Sequence, residues 1–276
     1  KMVKDKKYPK YPSWEAIEKE NQEAKPAVYL EIRDQAGEFV DRVIGKTTKG
    51  LHRVTWDMHF ANGSAITGEE KSPWDPMRDG VMAPAGKYTA TLHQRVGSKV
   101  TQLAGPVNFE LKPIYTPALT SASADKVTAF SKQIIAAERR SSALGAVLKN
   151  MEASLKALRS AIDQTPGDIS GLESQYAAIH DEFNAINYAL YGYKSRDRKG
   201  IKPANIASRL GYAMSATGSS YGPTQQHHEQ FNYALEGLND VNKRVKAIQD
   251  KSLPELQKAV TKAGGPWTVG SPVITA

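Results

Sequence analysis

Short runs of alternating apolar and polar residues fill the first part of the chain after residue 26. Between residues 28 and 33, apolar side chains occupy every second position, which is typical of a half-buried β-strand. Similar runs, separated by turns rich in glycine and proline, follow at residues 38–44, 50–58, 87–94 and 107–111. About six or seven short strands of this kind predict an immunoglobulin-like antiparallel β-sandwich over residues 27–113.

Three details of this segment concern a tryptophan, a long loop and a hairpin. Trp56 shares a strand face with Val54 and Met58 in the run at residues 50–58, so we expect it to be a buried structural residue. A long polar loop follows at residues 59–82. Gly97-Ser98 is predicted to be a hairpin tip.

Beyond residue 120, apolar residues recur every three or four positions instead of every second position. Such spacing, held for about five heptads, predicts one helix roughly 60 Å long. The residues that form this first seam are Val127, Phe130, Ile134, Ala137, Ser141, Leu144, Leu148, Met151, Leu155, Leu158 and Ile162.

Two further seams with the same spacing follow. The second contains Leu172, Tyr176, Ile179, Phe183, Ile186 and Leu190, and the third contains Phe231, Ala234, Leu238, Val241, Val245 and Ile248. Three seams with short breaks predict a long antiparallel three-helix bundle over residues 114–264, followed by a tail at residues 265–276. The fold class is therefore predicted to be a multidomain α+β arrangement, a β-sandwich followed by a helical bundle.

The breaks between these helices carry recognisable end signals. Residues 165–168 and 252–255 match the spacing of a capping box, and the second one predicts a kink or restart. Pro223 is expected near the first turn of the third seam helix. A short helix is expected within residues 203–214.

Residues 1–26 are predicted to be a linker with a short helix. Ser13 precedes an acidic first turn and is a plausible N-cap, and Pro26 ends the helix. We expect this linker to dock through Trp14 and Ile17. The lysine-rich start of the sequence indicates a fragment of a larger protein.

Composition excludes several classes of function. The 276 residues contain no cysteine, which excludes disulfides and thiolate chemistry. No apolar run is long enough to span a membrane. The net charge is +8, but the basic residues are interleaved with acidic ones on the predicted helices, so solvated helix faces are favoured over nucleic-acid binding.

The sequence offers few candidates for catalysis. His227-His228 could attract a metal ion, but adjacent helical residues point about 100° apart, so a surface pair near a helix start is favoured. No nucleophile elbow, phosphate-binding loop or dinucleotide fingerprint occurs. We therefore predict no catalytic residue, no cofactor and no metal ligand.

The candidate contact surface lies in the loop at residues 59–82. Trp74, Asp75 and Arg78 form it, since loops often carry function; the alternative is that Trp74 pins the loop to the sandwich. A second mixture, one of aromatic and basic side chains, contains Tyr191 and Tyr193 and could bind anions, although a solvated loop is favoured. Its basic members are Arg196, Arg198, Lys199 and Lys202.

Two sequence motifs suggest a family. Gly-Leu-His-Arg-Val-Thr-Trp-Asp at residues 50–57 and Pro-Ala-Gly-Lys-Tyr at residues 84–88 resemble the C-terminal region of bacterial sortilin-like (VPS10-type) β-propeller proteins, also described as BNR-repeat glycosyl hydrolase-like. The sandwich resembles the FlgD-type immunoglobulin-like domain. This resemblance covers about residues 8–270. The Asp-box repeats of such propellers do not occur in this sequence.

The resemblance implies an exported protein, secreted or in the cell envelope of a Gram-negative bacterium, and carries over no catalytic residue. We expect a non-catalytic accessory module that contacts an upstream β-propeller or another envelope protein, or associates with itself through its helices. The alternative is a carbohydrate-binding accessory part of a BNR-type glycoside hydrolase. An anion-binding helical module is a third, weaker interpretation.

Overall fold

The computed structural model describes residues 11–66, 68, 80–114, 121–193 and 203–271. These residues form a four-stranded antiparallel sheet and a set of helices, so the predicted mixture of sheet and helix is confirmed. Chain contacts define two units. The sheet unit comprises Lys1–His59 and Ala85–Pro113, and the helical unit comprises Phe60–Pro84 and Ile114–Ala276.

The sheet has the strand order β2-β1-β3-β4, and each neighbouring pair is antiparallel. Val96 faces Lys99 across the last hairpin, so the predicted tip at Gly97-Ser98 is confirmed. The strands are β1 (Ala27–Asp34), β2 (Phe39–Gly45), β3 (Gly86–Val96) and β4 (Lys99–Leu111).

The strand predicted at residues 50–58 does not form, and that prediction was wrong. Trp56 instead packs by its ring against Tyr88 and Phe109, with ring centroids 5.6 and 5.9 Å away. Its Nε1 donates to the carbonyl of His59 at 2.9 Å, and Met58 adopts a positive φ of 64°. Side-chain packing therefore holds this segment without a strand partner. Only four of the six or seven predicted strands appear in the described part of the chain.

The described residues of 60–84 belong to the helical unit, not to the sheet unit in which they were predicted. The backbone amide of Ala65 donates to Ser142 Oγ at 2.8 Å. Phe60 and Val81 are buried and joined by a 2.8 Å backbone hydrogen bond. Sequence distance concealed this grouping, because Ser142 lies 77 positions from Ala65.

The short N-terminal helix forms as predicted. Helix α1 spans Trp14–Gln22, and Ser13 Oγ accepts a hydrogen bond from the amide of Ala16 at 3.2 Å. Trp14 is 84% exposed, so the predicted docking through Trp14 is not observed. This helix has no buried residue.

The helical unit is built on the predicted seams. Every residue of the first seam from Phe130 to Ile162 is buried, which confirms that seam. Helices α2, α3 and α5 contact one another, and α4 packs against α5. None of the described helices is both long and apolar enough to cross a membrane. The helices are α2 (Ala124–Asp163), α3 (Ser170–Tyr191), α4 (Ile206–Met214), α5 (Gln225–Ala247) and α6 (Leu253–Lys262).

The predicted capping boxes are wrong, although the predicted breaks are right. Thr165 Oγ1 donates back to the carbonyl of Ala161 at 2.8 Å, so it does not cap α3. Ser252 has helical backbone angles and makes no capping bond. The chain passes through a π-helical turn at Ile248–Ser252 into α6, so the regular helix is interrupted where a kink or restart was predicted. Pro223 lies outside α5, whose N-cap is Thr224.

One buried hydroxyl in α2 gives a stability prediction. Ser131 is fully buried, and its Oγ has no hydrogen-bond partner among the described residues. Because a buried polar group without a partner costs about 1–3 kcal/mol, we expect Ser131→Ala to raise the free energy of unfolding by about 1 kcal/mol. Calorimetry would measure this.

Ser154→Ala is the matched control, because Ser154 is only partly buried and its hydroxyl has a partner, the carbonyl of Asn150, to which it donates at 3.1 Å. We expect that change to leave stability within about 0.5 kcal/mol. A clear loss of stability in Ser131→Ala would show that the hydroxyl has a stabilising partner.

Candidate functional site

The structure leaves the predicted contact surface outside the described residues. Trp74, Asp75 and Arg78 all lie there. The basic members of the second mixture, residues 196, 198, 199 and 202, lie outside them as well. Its two tyrosines, Tyr191 and Tyr193, are described and lie at the end of α3.

Trp56 and Asp57 do not form an open site. Trp56 belongs to the aromatic cluster of the sheet unit, and Asp57 Oδ1 accepts from the amide of His59 at 3.0 Å. Burial is the main cause that raises the pKa of Asp41, and the charge of Asp57 raises it further. We therefore interpret these carboxylates as parts of a local turn and its surroundings.

The His227-His228 pair was predicted to lie on the surface, and for His227 this was wrong. His227 is buried, its Nδ1 accepts from the amide of Thr224 at 3.1 Å, and its ring stacks on Tyr212. It caps the first turn of α5. His228 instead packs edge-on against Phe130, with centroids 4.5 Å apart. No group of three metal-binding side chains occurs within the described ranges.

The cap at His227 predicts a pH dependence of stability. Burial, and then the charge of His228, lower the pKa of His227. Between that lowered pKa and the ordinary value near 6.5, the unfolded chain binds more protons than the folded chain. Stability contributed here is therefore present above about pH 6.5 and is lost as the pH falls.

We expect His227→Gln to flatten this part of the pH profile. Thermal unfolding of both proteins at about pH 7.5 and about pH 5.5 would measure it. The native chain should lose more stability than the variant over this interval. Equal losses in the two proteins would contradict the assignment, since the remaining titratable groups are common to both.

A groove between α2 and α3 is the candidate functional site. It encloses about 330 Å³. The buried side chains of Leu155 and Phe183 contribute apolar surface to it. Three tyrosines at its edge, Tyr188, Tyr191 and Tyr193, keep 44–57% of their surface exposed. We call this feature the tyrosine groove.

Backbone geometry at the end of α3 positions the last of these tyrosines. Gly192 ends the helix with a φ of 77°, and its amide donates to the carbonyl of Tyr188 at 2.9 Å. A positive φ favours glycine. The turn brings Tyr193 onto Tyr188, with ring centroids 4.7 Å apart and an interplanar angle of 28°. The two rings thus form a stacked edge of the groove.

Polar side chains alternate with these rings along α3. Asn187 Nδ2 donates to the carbonyl of Phe183 at 3.0 Å. Asn184 Nδ2 lies 3.2 Å from His180 Nδ1, a distance that fits donation to an unprotonated ring nitrogen. The His180 ring also stacks on Tyr176, with centroids 5.7 Å apart. These contacts fix the orientation of the side chains before any ligand arrives.

The α2 side of the groove carries one ion pair. Lys156 Nζ lies 3.0 Å from Glu152 Oε1, one helical turn away. Both residues line the groove. Among the described lining residues, the two charges balance and the other polar groups are amides, an imidazole and hydroxyls, so these residues contribute little net charge.

Tyr191 separates the tyrosine groove from a second cleft between α2 and α4. Its hydroxyl lies against Gly145, where an added Cβ would lie only 2.4 Å from the oxygen. Burial raises the pKa of Tyr191. The second cleft encloses about 460 Å³ and contains Glu138, whose pKa is also raised by burial. Because Gly145 has no side chain, the hydroxyl of Tyr191 can lie directly against α2.

Only part of this groove was predicted from the sequence. Tyr191 and Tyr193 were singled out and Tyr176 was assigned to the second apolar seam, but the groove face of α3, on which four lining residues lie, was not recognised. A signal was present, because these residues follow one another at a spacing of four, which places them on one helix face. They are Tyr176, His180, Asn184 and Tyr188.

Comparison with known proteins gives no match. No protein-family model matches this sequence, and no curated protein or solved structure is significantly similar to it. The similarity to sortilin-like propeller proteins thus stays a prediction that depends on the motifs at residues 50–57 and 84–88.

Proposed function

We propose that this chain is a non-catalytic binding module and that the tyrosine groove is its contact site. The observation that carries the proposal is the set of three partly exposed tyrosines held around one groove. Tyrosine offers a large, rigid ring and a polar hydroxyl at low cost in side-chain entropy, which is why it is common in binding sites.

The lining of the groove supports binding more than catalysis. His180 is stacked on Tyr176 and bonded to Asn184, so its ring is held by structural contacts. Glu152 is paired with Lys156. Catalysis by nucleophile and base requires the two groups within hydrogen-bond reach of each other. The imidazole of His180 and the carboxylate of Glu152 are instead held by contacts that fix the shape of the groove.

The finer architecture is also proposed here. We propose that the sheet unit is an immunoglobulin-like sandwich of the FlgD type and that α2, α3 and α5 form an antiparallel three-helix bundle. The seams support the bundle, because nearly all their residues are buried, the exceptions being Val127 and Tyr176, and helices with apolar faces bury them against one another. The cluster of Trp56, Tyr88 and Phe109 supports a packed face on the sheet.

The setting is proposed from the sequence motifs. The chain would be the C-terminal part of an exported sortilin-like β-propeller protein, in the envelope or secreted from a Gram-negative bacterium. In that setting, the groove contacts the upstream propeller or another component of the envelope.

A binding assay with matched variants tests the proposal. Protein and polysaccharide fractions of a Gram-negative envelope would be immobilised separately, and saturable retention of the chain measured. We expect Tyr188→Ala to weaken retention roughly tenfold, as loss of an aromatic anchor does. Tyr233→Ala is the control, because Tyr233 is at least as exposed as Tyr188 but lies on α5 beneath Arg209.

Turnover assays complete the test. The purified chain would be incubated with chromogenic glycosides, esters and peptides, and we expect no turnover. Two results contradict the proposal. One is hydrolysis that Glu152→Gln abolishes, and the other is retention that is the same for Tyr188→Ala and the native chain.

A further inference from the structure

We infer that the tyrosine groove takes an uncharged oligosaccharide. This inference rests on the proposed function, because it names the ligand class of the same groove. Three properties of the groove carry it: the apolar ring surfaces, the hydrogen-bonding capacity of its amides, and the charge balance of its described lining.

The ring surfaces call for a ligand with an apolar face. Tyr188 and Tyr193 form a stacked, half-exposed edge, while Leu155 and Phe183 add apolar surface within the groove. A sugar ring has such a face, made of its C–H groups, with hydroxyls around its edge. Contacts between C–H groups and aromatic rings are individually weak, so several rings around one groove are needed. A cavity of about 330 Å³ is at the small end of the range for ligand sites.

The amides of the groove match a ligand that both donates and accepts hydrogen bonds. Asn187 Nδ2 donates to a backbone carbonyl, and this acceptor fixes which end of the amide is nitrogen. Asn184 Nδ2 lies 3.2 Å from His180 Nδ1 and donates to it when that ring nitrogen carries no proton. Each amide then keeps its Oδ1 acceptor and one Nδ2 hydrogen for a ligand. Sugar hydroxyls can donate to the first and accept from the second.

The hydrogen-bonding groups of the amides favour a sugar over a proline-rich segment, another common ligand of aromatic grooves. Proline-rich segments also dock between tyrosines, but proline has no backbone N–H to donate. Such a segment offers mainly carbonyl acceptors, which can accept from the amide N–H groups and tyrosine hydroxyls but leave the Oδ1 atoms of Asn184 and Asn187 without a donor. The groove is thus better matched to hydroxyl groups than to proline.

The charges that line the groove favour a neutral sugar over an anionic polymer. The chain has a net charge of +8, and this charge alone would favour anions. In the described lining of the groove, however, the one cation, Lys156, is paired with Glu152. Binding there should consequently depend little on salt, unlike binding that neutralises phosphates or sulfates.

Calorimetric titration of the whole chain tests the inference. The probes are cellohexaose, laminarihexaose, xylohexaose and chitohexaose, with decaproline and heparin as competitors of other chemistry. We expect at least one hexasaccharide to bind, with an affinity that changes less than about twofold when NaCl rises from about 0.05 to about 0.5 M. Tyr188→Ala and Asn187→Leu should each weaken binding roughly tenfold, and Tyr233→Ala should not. Circular dichroism would confirm that each variant is folded.

Three other outcomes of the titration would overturn the inference. Binding of decaproline alone, lost in Tyr188→Ala, would replace the sugar with a proline-rich partner and leave the proposed function standing. Salt-sensitive binding of heparin alone would point to surface charge. Failure of all four sugars to bind would also reject it. The proposed function fails separately, through turnover or through envelope retention that Tyr188→Ala does not change.

Discussion

Leu158→Ala is expected to lower the free energy of unfolding of the helical unit by about 2–5 kcal/mol, the range for large-to-small changes in well-packed cores. Leu158 is fully buried in the α2 seam. The change removes apolar side-chain atoms and leaves a cavity that the neighbouring helices cannot fill without moving. Chemical denaturation followed by the helical circular-dichroism signal would measure the loss.

Leu103→Ala provides the matched control, because it makes the same chemical change at a half-exposed position of β4. We expect its effect to stay within about 0.5 kcal/mol. Similar losses in the two variants would mean that the α2 seam is not the packed core of the helical unit.

We expect Gly237→Ala to destabilise the protein by about 1–3 kcal/mol, the range for overpacking, although alanine has a better helix propensity than glycine. In a helix interior, alanine is normally better than glycine by about 1 kcal/mol. At position 237, an added Cβ would lie 2.7 Å from Ile206 Cγ1 and 2.8 Å from Ile206 Cδ1. Because Ile206 is buried on α4, its side chain has little room to move away.

Gly211→Ala is the opposite case in the same pair of helices. An added Cβ at this exposed position of α4 meets no atom within 4 Å, so propensity should dominate and raise stability by up to about 1 kcal/mol. Replacing Ile206 by valine in the Gly237→Ala background removes the Cδ1 contact and should restore part of the loss. Stabilisation by both glycine replacements would contradict the close packing of α4 on α5.

These two experiments mark what could and could not be predicted from the sequence. The α2 seam was predictable because a buried helix face leaves a periodic pattern in its own sequence. The contact at Gly237 was not, since its cause is Ile206 on another helix. Nothing in the sequence near residue 237 indicates which side chain will lie against it.

The sheet unit shows the limit of alternation as a signal. Residues 27–34 and 50–58 both alternate apolar and polar residues, yet only the first becomes a strand. A strand requires a partner for its backbone groups, and alternation reports only that one side of an extended segment is covered. For Trp56, that cover comes from Tyr88 and Phe109.

The groove was predictable in part for a similar reason. The residues of α3 that line it share one helix face, so their spacing was visible in the sequence. The contribution of α2 depends on which of its faces meets α3, and this is set by packing across the break at residues 164–169. Trp74, the sequence-based candidate, lies outside the described residues, so its role stays a prediction.

The most direct test of the account is nuclear magnetic resonance on the chain with isotope-labelled tyrosine rings, titrated with the four hexasaccharides together. We expect saturable chemical-shift changes for the Tyr188 and Tyr193 rings and unchanged signals from Tyr29 and Tyr233. The sugars should be recovered intact. Absence of shifts at the groove, shifts confined to tyrosines elsewhere, or cleavage of the sugars would contradict it.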